Sequence, residues 1–219
     1  MRQLSRSFLV FLLFAGWVSS GCQFFGQRSG LPTHYNLPLT VQLRMDHSIA
    51  AASLDYRDAC GQAVALPIRD GVETQLKKRM GQVFERVHLE PGPSTGAMDG
   101  VVDTALGFRQ VDLFIPRKAN KSYPATVTLG MEFSYTDDRG AVLVSKKLQS
   151  AATGEVEARA ETCDIRGLDK VAEEAAAKLV EGMAQQLGTA TKIREQAQFR
   201  KRGDRGTLQS APVPPATPV

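Results

Sequence analysis

Histidine and cysteine are scarce, three of each in 219 residues. His34, His47 and His88 stand at no metal-ligand spacing with either downstream cysteine, so no metal ion and no cofactor is expected. The chain also lacks a G-x-S-x-G nucleophile elbow, a phosphate-binding glycine loop, a dinucleotide fingerprint and a zinc-protease helix. Scattered carboxylates such as Asp103 and Asp112 read as exposed strand charges, and the chain is expected not to be an enzyme. An excess of one charge is missing too. The formal net charge of +4 falls to +2 once Arg2 and Arg6 are set aside with the leader described next, too little to argue for nucleic acid as a partner.

What is present first is an export signal. Arg2 and Arg6 make a positive start, and Phe8 to Val18 is an uncharged, mostly apolar run of eleven residues. A helix needs roughly 20 apolar residues to span a bilayer, so this run suits a cleaved leader better than a permanent span. Ser19, Ser20 and Gly21 then lead into Cys22. This stretch resembles the lipobox of bacterial lipoproteins, in which the cysteine thiol takes a diacylglycerol and the chain is cut just before it. The pattern has an aliphatic residue three places before the cysteine, whereas here Ser19 stands there and Val18 one place further back. The resemblance implies a lipid-attached Cys22 and a palmitate-bearing envelope protein. Gln23 in place of aspartate after the cysteine implies the outer membrane, facing the periplasm. The alternative is an ordinary signal cut near Gly21 that leaves Cys22 as a free thiol.

Several acyl chains, each adding about 0.8 kcal/mol per buried methylene, would hold such a chain at a membrane without a spanning helix. Residues 22–37 include Gly26, Ser29, Gly30 and Pro32 and lack periodicity, which predicts a flexible tether. Over the whole chain, 42% hydrophobic and 23% charged residues suit one globular domain, expected beyond the tether over 38–190. Cys60 and Cys163 fall in loop-like surroundings, and export to an oxidising compartment favours a disulfide between them.

Alternation of Leu39, Val41, Leu43 and Met45 with Thr40, Gln42 and Arg44 predicts a first strand. An irregular stretch, 46–67, follows. Asp70 and Glu73 suggest a helix start, and Val72, Leu76, Met80, Val83, Phe84 and Val87 recur at helical spacing. Val101 to Ile115 reads as a strand whose alternation slips near Gly107, the mark of a bulge. Ala125 to Tyr135 alternates cleanly, and the turn residues 136–140 predict a hairpin with 141–150. Leu168 to Leu187 is a second amphipathic helix. Over 191–219 the chain reads as a charged helix end, with Lys192, Arg194, Arg200, Lys201 and Arg202, and then a proline-rich disordered tail.

The order β-α-β-β-β-α predicts an α+β fold, a mainly antiparallel sheet of four to five strands with two helices packed on one face. Behind a lipobox-like cysteine, this order resembles the small outer-membrane lipoproteins of the lipopolysaccharide-assembly (LptE-like) and YajG-like types. The resemblance covers 39–187 and rests on topology. It implies a structural or assembly subunit of an outer-membrane complex, with another envelope protein as partner. The alternative reading is a binding module for anionic glycolipid or peptidoglycan, with Arg117, Lys118 and Lys121 as the contact.

Overall fold

The architecture is that of a computed structural model, which describes residues 35–90, 97–115 and 120–208. The signal, Cys22, the tether up to residue 34, Arg117, Lys118 and the tail beyond 208 lie outside the described residues. The element order is β1 (Leu37–Met45), α1 (His47–Ala50), β2 (Ser53–Arg57), β3 (Ala63–Pro67), α2 (Arg69–Val83), β4 (Phe84–Leu89), β5 (Gly100–Leu113), β6 (Asn120–Asp137), β7 (Val142–Arg159), β8 (Asp164–Arg166), α3 (Leu168–Thr189) and α4 (Thr191–Leu208).

A six-stranded sheet runs β4-β1-β5-β6-β7-β8, and β2-β3 forms a separate two-stranded ribbon. The α+β class holds, but the sheet is mixed: β1 pairs in parallel with both β4 and β5, and the pairs from β5 to β8 are antiparallel. Parallel neighbours need a long crossover, and residues 46–83 supply it between β1 and β4. The helical reading through Val87 is corrected here. Helix α2 stops at Val83, and from Phe84 the backbone is extended. Val87 and Leu89 alternate with Arg86 and His88, a period of two that a run this short does not separate from helical spacing. The start of α2 differs as well, since its N-cap is Ile68 with no side-chain cap, and Glu73 pairs with Arg69 and Lys77 instead.

The stretch expected to be irregular, 46–67, holds α1 and the β2-β3 ribbon. Ile49, Ala52 and Leu54 from it are buried in the core. The ribbon tip is a turn in which Asp58 Oδ1 accepts from Cys60 N and Gln62 N, both at 2.8 Å. From that tip Cys60 forms a disulfide with Cys163, 103 residues away. A loop of this length is worth at most about 4.7 kcal/mol in the chain-entropy model. Tyr56 of the ribbon packs against the core from the same side.

One face of the large sheet is covered. Leu39, Val41 and Leu43 of β1, Val102 and Leu106 of β5, and Ala125 to Tyr135 at alternate positions of β6 are buried there beneath the helices. The bulge falls where the alternation slips: Leu106 pairs with Met131 and Phe108 with Gly130, leaving Gly107 without a partner. The extra residue switches the inward set from even to odd numbers, so Val111 and Leu113 pack against the core after it. Phe108 turns outward over Gly130, where a Cβ would lie 2.9 Å from that of Phe108.

The β6-β7 hairpin forms at the expected turn. Asp137 Oδ1 accepts from Arg139 N and Ala141 N, and Gly140 takes a positive φ of 81°. Strand β7 runs nine residues past the expected end at 150, reaching Arg159. Helix α3 lies across β6 and β7, and its small residues Ala172, Ala175, Ala176 and Ala184 allow the close approach. At its start, a Cβ on Gly154 of β7 would come within 2.7 Å of Val171.

Candidate functional site

Packing begins at Tyr35, inside the stretch read as tether. Its amide donates to Gln82 O at 3.0 Å, and its ring lies so close to Gly188 of α3 that a Cβ there would overlap it. Leu37, two residues on, is already core. Among the described residues, Tyr35 thus sits at the C-terminal ends of α2 and α3. Burial raises the Tyr35 pKa, the Glu181 carboxylate adds to the rise, and Arg194 of α4 opposes it.

The charged segment 191–202 is not a frayed end. Ala190 ends α3 in an extended conformation, and α4 restarts at Thr191, burying Ile193 and Ala197 in the core. The body thus runs past residue 190, and the helix continues through Gly203 to Leu208.

A polar cluster holds α4 in place. Asp99, buried at the head of β5, accepts from Thr40 N at 2.7 Å through Oδ2, and its Oδ1 pairs with Arg200. Its carbonyl accepts Gln196 Nε2 at 2.7 Å, and Tyr135 donates its hydroxyl to Gln196 Oε1 at 2.9 Å. Burial pushes the Tyr135 hydroxyl well above the usual tyrosine range, with the Asp99 charge adding to it, so the group stays a neutral donor. Gly100 is required here, since a Cβ would sit 2.5 Å from Tyr135 Oη and 2.6 Å from Thr136 O. Four elements meet at this cluster. Nothing in the local pattern around Asp99 marked it, because Thr40, Gln196 and Arg200 are 59, 97 and 101 residues away.

Of the three residues considered for anionic ligands, only Lys121 is described. It is exposed at the start of β6, opposite Ala158 of β7. It lines a groove of about 500 Å³ with Ser122, Glu157, Arg159, Glu161 and Thr162, so two carboxylates share its surroundings. That mixture weakens the case for an anion there. Cys60 and Cys163 are joined, as described above.

The outer face of the sheet is open and polar. A groove of about 630 Å³ is lined by Arg44, Asp46, Asp103, Glu132, Ser134 and Lys147, among others. Its charges are largely neutralised in place: Lys147 meets Glu132 across the β6-β7 pair at 2.5 Å, and Arg44 meets Glu90 at 2.8 Å. Asp103 is half-buried on this face, and Asp112 is exposed and accepts from Gln110 at 2.7 Å.

Strand β7 offers a different surface. Strand β8 pairs only with Glu157 to Arg159, so among the described residues no strand lies against the outer edge of β7 from Val142 to Val156. Lys146 and Lys147 are the fifth and sixth residues along that edge, while Leu148 to Thr153 carries no charge. Val142 at its start is 59% exposed.

No family model matches the sequence, and no curated protein matches it. Among solved structures, a Xanthomonas campestris protein of family DUF330 aligns at 10% identity and TM-score 0.43, over 76% of this chain and 90% of that one. A minor lipoprotein from Acinetobacter baumannii aligns at 12% identity and TM-score 0.39, over 68% and 91%. Lipoprotein B from Nitrosomonas europaea aligns at 12% identity and TM-score 0.36, over 78% and 91%.

Proposed function

We propose that this chain is a lipid-anchored protein of the bacterial outer membrane, facing the periplasm, and that it serves as an interaction subunit of an envelope complex rather than as an enzyme. The observation that carries the address is the Cys60–Cys163 disulfide. Such a bond persists in an oxidising compartment, and the export signal ending at Cys22 is the route to one. The interaction half rests on the free edge of β7. Unpaired backbone donors and acceptors along a strand are a template for strand addition, and proteins commonly guard them with lysine. Here the guard covers Lys146 and Lys147 and leaves Leu148 to Thr153 neutral, so an extended segment of an envelope protein would dock there.

Two experiments test the halves separately. Labelled palmitate should be incorporated in cells producing the chain and lost with Cys22→Ser; retention of label by that variant would remove the anchor. Gln149 and Ala151 are exposed on β7, so Gln149→Lys with Ala151→Lys should leave the melting curve unchanged while abolishing recovery of a stoichiometric envelope protein from solubilised membranes. Unchanged recovery would rule the edge out. Glycolipid capture lost on Lys121→Glu would instead favour the alternative, a glycolipid-binding module.

A further inference from the structure

The outer edge of β7 carries a charge order that the described residues do not neutralise. Lys146 and Glu155 are both exposed and form no ion pair among the described residues, whereas Lys147 is taken by Glu132. Lys146 Nζ donates instead to Gln186 Oε1 of α3 at 2.6 Å, which holds the cation beside the edge. Residues 148–154 carry no charge. The edge is thus positive toward its start, neutral along its middle and negative at its end.

The end of the edge is fixed by β8. That strand pairs antiparallel with Glu157 to Arg159, and Gly167 then lies so near Glu155 O that a Cβ on it would be 3.3 Å away. A strand prolonging the line of β8 toward Val142 runs antiparallel to β7, the slightly more stable ladder. Side chains alternate along β7, so Lys146 and Leu148 face α3, while Lys147 and Glu155 face the open side of the sheet. Above Leu148, α3 carries Gly182, a poor helix former. Packing within the chain does not require it, since a Cβ there would make only ordinary contact, 3.6 Å from Leu148 Cδ1. Its effect is a notch between α3 and the half-buried Leu148, beside the edge. A second copy of β7 does not fit this pattern. Antiparallel pairing with Lys146 opposite Glu155 would put residues 142–144 of the second copy opposite 157–159, the place that β8 holds.

We infer that the β7 edge selects an extended protein segment running antiparallel to it, with a basic residue opposite Glu155, an apolar side chain opposite Leu148 that enters the Gly182 notch, and an acidic residue opposite Lys146. This rests on the reading of β7 as a docking edge and states what that edge prefers. Backbone hydrogen bonds along the edge are open to any strand, so discrimination falls to the side chains that meet its charges and its notch. A segment with the opposite order of charges sets base against Lys146 and acid against Glu155, and those repulsions reject it.

The probe is a fluorescein-labelled peptide capped at both ends, Arg-Val-Thr-Val-Thr-Val-Thr-Leu-Thr-Glu, whose first residue falls opposite Glu155 and whose last falls opposite Lys146. A second peptide exchanges its Arg and Glu. Anisotropy titrations with the full chain purified from membranes should show the first bound about tenfold more tightly than the second at low salt. In a chain carrying Lys146→Glu with Glu155→Lys, the preference should reverse. Gly182→Leu should weaken the first peptide about tenfold at unchanged circular dichroism. Gly182→Ala should weaken it less while raising the melting temperature, because alanine is the better helix former. Binding of neither peptide, equal binding of both, a preference that the charge exchange leaves in place, or affinity untouched by both Gly182 substitutions would overturn the inference. The docking edge itself is read separately, by loss of the co-purifying protein in Gln149→Lys with Ala151→Lys, so a failed pattern and a failed edge give different results.

Discussion

Helices α3 and α4 are separated by a single residue, Ala190, yet they are held by different physics. Helix α3 buries eleven of its residues against β6, β7 and α2, so its place is set by apolar area. Helix α4 buries Ile193 and Ala197 and otherwise depends on Gln196 and Arg200 meeting one backbone carbonyl and one carboxylate of Asp99. Apolar burial is non-directional and tolerates small shifts, whereas a buried polar cluster demands geometry and is costly when half-satisfied. A helix of the second kind leaves Lys192, Arg194, Phe199 and Lys201 exposed, because its docking does not use them.

Four measurements press on this contrast. Removing the disulfide with Cys60→Ser and Cys163→Ser should cost the most, about 4 kcal/mol in urea unfolding, because it frees the ribbon tip from the turn ahead of α3 while leaving α4 contacts alone. Leu179→Ala, in the middle of the buried stripe of α3, should lower global stability by about 3 kcal/mol, seen as a shifted urea midpoint at unchanged slope.

Asp99→Ala should cost about 2 kcal/mol, less than a fully buried pair because Arg200 is 46% exposed. Hydrogen exchange should show the loss in α4 and at the Thr40 amide, with α3 amides still protected; equal loss in both helices would end the distinction between them. The smallest effect belongs to the exposed side of α3. Glu174 and Lys178 form an i,i+4 pair at 2.8 Å, and Glu174→Gln should change stability by only about 0.3 kcal/mol, within a degree or so of melting temperature.

Much of the central sheet was readable in advance because its signals are local. Alternation over Ala125 to Tyr135 is the β6 core face, the slip at Gly107 is the bulge, and the turn at 137–141 closes the hairpin. Strand β4 was not readable: Val83, Phe84 and Val87 satisfy a helical spacing, and only the vacant side of β1 selects the strand. The β2-β3 ribbon was missed for a related reason. In β2 Leu54 and Tyr56 alternate with Asp55 and Arg57 over only five residues, and residues 63–65 of β3 are exposed, so neither strand stands out by its periodicity. For the candidate sites the division is sharper. Cys60 and Cys163 could be named from their surroundings, whereas Asp99, Tyr135 and Gln196 come together only through folding.

By itself the amino-acid order determined the long helix α3, the hairpin and the bulge, since each depends on neighbours within a few turns or one strand length. Tertiary structure alone decided that β1 is flanked by parallel strands, that the charged segment after Ala190 is docked, and that among the described residues no strand pairs with the outer edge of β7 from Val142 to Val156. Those outcomes depend on which distant backbone groups and carboxylates remain to be satisfied once the core has closed, and no local periodicity records them.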